Sequence, residues 1–123
     1  MLQLIFAFVV LNLRLEKTTV VEPKKVLIIE GILILTNKTL RDSINYSVFL
    51  DCPRDIRLQR RLDRDIKERG RNYNDVINLF ETRLDIMHSE FVEPHKTFCD
   101  LILNTNENVN INPLINVIKK NLR

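Results

Sequence analysis

The sequence predicts an α/β fold built on a parallel sheet. Two observations carry that reading. Residues 25–31, 46–51 and 100–104 are short apolar runs rich in β-branched or aromatic side chains, continuous rather than alternating, which suits strands covered on both faces. Helical periodicity fills the intervals between them, so the order reads strand, helix, strand, helices, strand, helix.

Residues 1–13 are strongly apolar but too short to span a bilayer. They lack the cationic start and small-residue cleavage site of a signal peptide, and are read as a strand, a short helix, or sequence foreign to the fold. The first core strand, 25–31, ends on Glu30 and Gly31. The second ends on Asp51, and a helix is expected just after Pro53. In that helix Leu58, Leu62 and Ile66 recur at i+4, with Ile56 at the edge of the same arc. Arg57, Arg60, Arg61, Arg64 and Lys67 fall on the opposite arc, and Gly70 supplies the stop. The next helix starts near Asn72 or Asn74, carries Val76, Ile77, Phe80, Leu84 and Met87 as one apolar stripe, and ends before Pro94. After the third strand comes an Asn-rich polar loop. A last helix follows, with Asn112 as cap, Pro113 in its first turn, and Lys119, Lys120 and Arg123 at its C-terminal end.

The 123 residues form one small domain of ordinary composition, 45% hydrophobic and 28% charged. The net charge is +3 and the pI about 9.0. The basic excess is local, with eight Lys/Arg within residues 54–71, which favours an anionic ligand at one place over a diffuse nucleic-acid coat. The same stretch holds no Phe or Tyr, so it lacks the aromatic interleaving of a single-strand binder. Only two glycines argues against a complete glycine-rich nucleotide loop. Cys52 and Cys99 have no metal spacing, abut apolar runs, and read as free thiols of a cytoplasmic protein.

Residues 60–71 pack five arginines into twelve positions and include Gly70. Guanidiniums are planar, permanently charged forks that match phosphate oxygens, and a basic helix followed by a glycine hinge suits a lid over transferring phosphates. The same spacing also suits a solvated surface helix with i,i+4 ion pairs such as Asp63 to Lys67. Glu30 ends a buried strand, where α/β sheets place functional acids and where a carboxylate can hold Mg²⁺ beside substrate phosphates; a strand-end acid that caps a turn is the plainer alternative. His88 and His95 have no partner at metal or triad spacing and read as structural.

Residues 26–33, then Leu40, Arg41 and Asp42, then residues 48–51, resemble the middle of the uridine (uridine/cytidine) kinases. Residues 60–71 look like that family's lid, and Phe91, Val92, Glu93, Pro94 and Lys96 look like the segment after it. The resemblance covers residues 18–103. It implies a partial P-loop kinase (NMP-kinase-like) three-layer α/β fold with a parallel sheet and its N-terminal half missing. The implied domain limits are an apolar segment at 1–17 outside the family pattern and the C-terminal part of a kinase domain at 18–123.

The resemblance further implies ATP-dependent 5′-phosphorylation of uridine or cytidine with Mg²⁺ in pyrimidine salvage. By resemblance Arg64 and Arg69 act catalytically at the ATP phosphates, Arg61 and Arg71 bind the nucleoside substrate, Glu107 joins Arg64 and Arg69 in binding ATP, and Glu30 holds the metal. Implied partners are the nucleoside, ATP, and either further copies of the chain or a full-length kinase, with no specific nucleic acid and no membrane. The departures are equally plain. No Gly-x-x-x-x-Gly-Lys-Ser/Thr run occurs, Leu79 stands where the family has a base-reading glutamine, and Asn104, Thr105 and Asn106 replace a Pro-Arg-Gly. The resulting expectations are a chain that does not catalyse the reaction alone, or a non-catalytic nucleotide-binding or regulatory subunit. In either case apolar surface on residues 26–29 and on Leu58, Leu62 and Ile66 should lie open to self-association.

Overall fold

A computed structural model describes residue 22 and residues 24–122. The apolar segment at 1–17 and Arg123 lie outside the described residues. Within them the chain is α/β. A short 3₁₀ turn (Ile34–Thr36) leads into α1 (Lys38–Ser43), β1 (Val48–Asp51) and α2 (Arg54–Lys67). Then follow α3 (Tyr73–Leu79), a π-helical turn (Phe80–Leu84), α4 (Asp85–Phe91), a 3₁₀ segment (Glu93–Phe98), β2 (Leu101–Asn104) and α5 (Asn112–Leu122).

The two strands pair in parallel, with Val48 beside Leu101 and Asp51 beside Asn104. Polar side chains fasten both ends of this four-residue ladder. At its start, the Ser47 amide and hydroxyl donate to Asp100 Oδ2 at 2.7 and 2.8 Å, and the Asp100 amide donates to the Ser47 carbonyl at 3.0 Å. At its end, the Thr105 amide and hydroxyl both donate to the Asp51 carbonyl, at 2.8 and 2.9 Å. A parallel pair has slanted bonds and no hairpin to fix its register, so these brackets set it.

The first predicted strand is less regular. Val26, Ile28 and Glu30 make isolated β-bridges at alternate residues, and no continuous ladder forms over residues 25–31. Ile29 is nonetheless buried while Ile28 is 55% exposed, so the run keeps a strand's two-faced alternation.

Helix α2 begins after Pro53, with Asp55 in its first turn and Arg64 and Lys67 in its last, both favourable to the helix dipole. The stop is Gly70, at φ +61°, the left-handed region that a glycine enters without a Cβ clash. A Cβ at Gly70 would meet nothing within 4 Å, so only backbone strain opposes a side chain there. Gly70→Ala should therefore cost about 1 kcal/mol, read as a lower urea midpoint with an unchanged slope.

Asn72 caps α3 by accepting the Asn74 amide at 2.8 Å, as one of the two sequence alternatives required. The single stripe drawn through Met87 does not survive. Val76 and Phe80 are buried, but Met87 is 45% exposed. The π turn at Phe80–Leu84 advances the helix by an extra fraction of a residue, so positions beyond it rotate off the core face.

The buried apolar side chains are Ile29, Phe49, Leu62, Val76, Phe80 and Leu103. α2 packs on α3, and Leu62 and Val76 are the members of this set that the two helices supply. The expectation of open apolar surface holds for Ile28 and Ile66 and fails for Ile29 and Leu62, which are covered. Leu50 and Ile102 on the sheet, with Phe98 beside it, are well exposed. In α5, Asn112 is the first helical residue, with its amide held by the Asn110 side chain at 3.1 Å. Both cysteines are free and half-buried, and burial pushes the Cys99 thiol upward in pKa, away from thiolate reactivity. No helix among the described residues is long and apolar enough to cross a membrane.

Candidate functional site

The centre of the basic segment is an acid. Asp65 is fully buried, and four arginines converge on its carboxylate. Arg64 Nε donates to Oδ1 at 2.9 Å, and Arg69 Nη1 lies 3.3 Å from the same oxygen. Arg61 Nη1 and Arg71 Nη1 each lie 3.5 Å from Oδ2. The Arg71 amide also donates to the Asp65 carbonyl at 3.0 Å, which folds the segment after Gly70 back onto the helix end.

Helix geometry explains the placing. Arg61 precedes Asp65 by four residues and Arg69 follows it by four, so both stack over one face. Asp65 lies three residues beyond Leu62, on the arc the apolar side chains define, and is carried inward with them.

The four residues assigned to catalysis and substrate from the sequence are thus brought together, and the residue joining them was missed. The signal was present, since an acid on the apolar arc of a basic helix has to find cations. Burial pushes the Asp65 carboxyl upward in pKa. The Arg64 hydrogen bond and the charges of Arg64, Arg61 and Arg69 outweigh it and hold the group below the usual carboxylate range. Arg61 is lowered from the ordinary arginine value, first by burial and then by the neighbouring charge of Arg64. A guanidinium crowded by its own kind favours any further anion that arrives.

Three other arginines of α2 do not join this site. Arg54 Nε and Arg57 Nη2 hold the two oxygens of Asp85 at 2.8 and 3.1 Å, and both guanidiniums lie over the Phe80 ring, 5.3 and 5.8 Å from its centroid. Arg60 donates to the Thr105 carbonyl. The expectation that Arg57 and Arg60 offer free charge to a ligand is corrected accordingly: one is an α2–α4 tie and the other closes the loop after β2. The Asp63–Lys67 pair exists at 3.8 Å, so the outer edge of the helix behaves as a solvated surface.

At the carboxyl end of β1 a shallow cavity of about 330 Å³ opens between Asp51, Arg57, Asp85, His88 and Glu93. Lys96 Nζ spans its rim, 2.7 Å from Asp51 and 3.4 Å from Glu93. The Asp51 hydrogen bond raises the Lys96 pKa above its ordinary value. His88 Nε2 sits 3.2 Å from Glu93, and His95 Nδ1 sits 3.0 Å from the Phe91 carbonyl; both bind local structure, as their lack of metal spacing implied.

Glu30 is exposed at the end of its bridged run. Glu107 is exposed in the loop after β2. Leu79 is half-buried at the end of α3. Among the described residues no three His, Cys, Asp or Glu side chains gather into a metal cage.

The chain matches the family model described as phosphoribulokinase/uridine kinase over residues 5–112. It belongs to that family. Among curated relatives it is 47% identical over 90 residues to the uridine kinase of Escherichia coli (strain K12), and equally to that of Shigella flexneri. It is 46% identical over the same length to the uridine kinase of Salmonella newport (strain SL254). Each match covers 73% of this chain and 42% of the relative, so the chain spans well under half the length of these family members. The likeness is thus to kinases, which are transferases, and the arginine cluster lies inside the stretch the family model matches.

Proposed function

We propose that this chain carries the arginine-bearing part of an ATP-dependent nucleoside kinase of the P-loop, NMP-kinase-like fold. The reaction would be 5′-phosphorylation of uridine or cytidine in cytoplasmic pyrimidine salvage. One observation carries the reading: Arg61, Arg64, Arg69 and Arg71 gather round a single carboxylate and so form a site with a surplus of positive charge. Charge on a transferring phosphoryl group spreads over its oxygens, and preplaced guanidiniums lower the barrier without reorganising.

In this reading Arg64 and Arg69 face the ATP phosphates, Arg61 and Arg71 face the nucleoside side, and Glu107 lies at the nucleotide's edge. Glu30, a single exposed carboxylate, fits a Mg²⁺ that takes its remaining ligands from phosphate oxygens and water rather than from a protein cage. That ion would neutralise phosphate charge when bound. The 123 residues hold no glycine-rich phosphate loop, and transfer by this chain alone is therefore expected at background. Association with further copies, or with a complete kinase, would supply the rest.

The test is paired. Arg64→Ala and Arg69→Ala should each weaken ATP binding by roughly tenfold or more, the worth of one charge-assisted hydrogen bond. Arg54→Ala, on the Asp85 side of α2, should leave ATP affinity unchanged. Equal loss in all three would reduce the cluster to nonspecific charge. A robust uridine-phosphorylating rate from the purified chain, abolished by Arg69→Ala, would overturn the claim of inactivity alone.

The second reading, a non-catalytic nucleotide-binding or regulatory subunit, draws on the same cluster together with the missing phosphate loop. Co-purification of the chain with a complete uridine kinase would favour it.

A further inference from the structure

We propose that Asp65 is the positioning residue of the anion site: it fixes one edge of each of four guanidiniums so that their remaining N–H groups face a single polyphosphate. The inference rests on the reading of the arginines as a phosphate site and deepens it.

Its ground is geometry. Each arginine spends one nitrogen on Asp65, Nε for Arg64 and Nη1 for Arg61, Arg69 and Arg71. An arginine has five N–H donors, so most of each fork is left over. The arginines are between 29% and 50% exposed at the side chain, while the carboxylate they share is 1% exposed. Asp65 thus grips the cluster from within, and each of the four arginine side chains stays partly open to solvent.

Four like charges on flexible stems would otherwise spread apart. The shared carboxylate offsets that repulsion and removes rotamer freedom before a ligand arrives, so less entropy is lost on binding. The bond from the Arg71 amide to the Asp65 carbonyl extends the same control across Gly70, so the residues after the hinge are held in place too.

The proposal makes a prediction opposite in sign to plain electrostatics. Asp65→Asn removes a negative charge from an anion site, so charge alone would tighten binding. Loss of positioning weakens it. Asp65→Glu keeps the charge and moves the carboxylate by one methylene; charge alone leaves binding unchanged, and loss of positioning again weakens it.

The experiment is calorimetric titration of inorganic tripolyphosphate into the whole chain, wild type and both variants, with a thermal melt on each. The expected result is saturable binding to wild type and roughly tenfold weaker binding to Asp65→Asn and Asp65→Glu. If Asp65→Asn does not fold, the Asp65→Glu comparison decides. Tighter binding by Asp65→Asn, or unchanged binding by Asp65→Glu, would overturn the positioning role and leave the phosphate site standing. Absence of saturable binding to wild type would overturn both.

Discussion

Replacing Phe80 by Ala should destabilise the protein by about 3–5 kcal/mol, the largest single loss a side chain of this fold can cause. Phe80 is 3% exposed and closes the core where α2, α3 and the π turn meet. Truncation removes a ring of apolar surface and leaves a cavity that rigid helices cannot fill. It also strips the guanidiniums of Arg54 and Arg57 of the aromatic face beneath them. Phe80→Leu keeps most of the volume and loses only the ring, so it should show less than half of the deficit. Chemical denaturation of the two variants separates packing from cation–π contact: a loss in Phe80→Leu as large as that in Phe80→Ala would mean that the ring beneath Arg54 and Arg57, not its volume, carries the stabilisation.

Asp85→Ala should cost about 1–2 kcal/mol near neutral pH, less than a fully buried pair because Arg54 keeps much of its contact with water. The loss should depend on pH. The Arg54 hydrogen bond holds the Asp85 carboxyl below the usual carboxylate range, against the opposing push of burial, with Arg57 adding to the same effect. A carboxyl depressed in the folded state binds fewer protons there than in the unfolded chain. Its contribution is therefore complete above the unfolded aspartate value of about 3.9 and fades as pH falls through the folded value. Wild type and Asp85→Ala should differ in denaturation midpoint at pH 7 and converge in acid. A difference that persists undiminished at low pH would show that Asp85 stabilises by packing rather than by its charge. Asp65, depressed in the same direction, adds to the acid sensitivity of wild type and is common to both proteins.

The contrast between these two acids explains how much of the chain could be read from its sequence. Periodicity placed β1, α2 and β2 because each is a local pattern: a short apolar run, an i+4 stripe, a glycine stop. The arginine cluster was legible for the same reason. Asp85 was not, since its partners Arg54 and Arg57 precede it by 31 and 28 residues and meet it only once α4 folds back on α2. The π turn was also invisible. It arises from tertiary fit around Phe80 and has no residue signature, yet it decides that Met87 faces outward. The run at residues 25–31 makes bridges at Val26, Ile28 and Glu30 rather than a continuous ladder, because a β-branched run specifies extended backbone but not the regularity of its pairing. Asp65 lay within reach, since its position on the apolar arc required a cationic neighbour.

The cluster around Asp65 is proposed to bind the phosphates of ATP. The most direct measurement is the salt dependence of ATP binding to the wild-type chain, set beside the Arg64→Ala, Arg69→Ala double variant. The claim predicts one saturable site whose affinity falls as salt rises, and loss of that site in the double variant while its melting transition stays cooperative. Binding that survives the double substitution unchanged, or a folded wild-type chain that takes up no ATP at low salt, would contradict it.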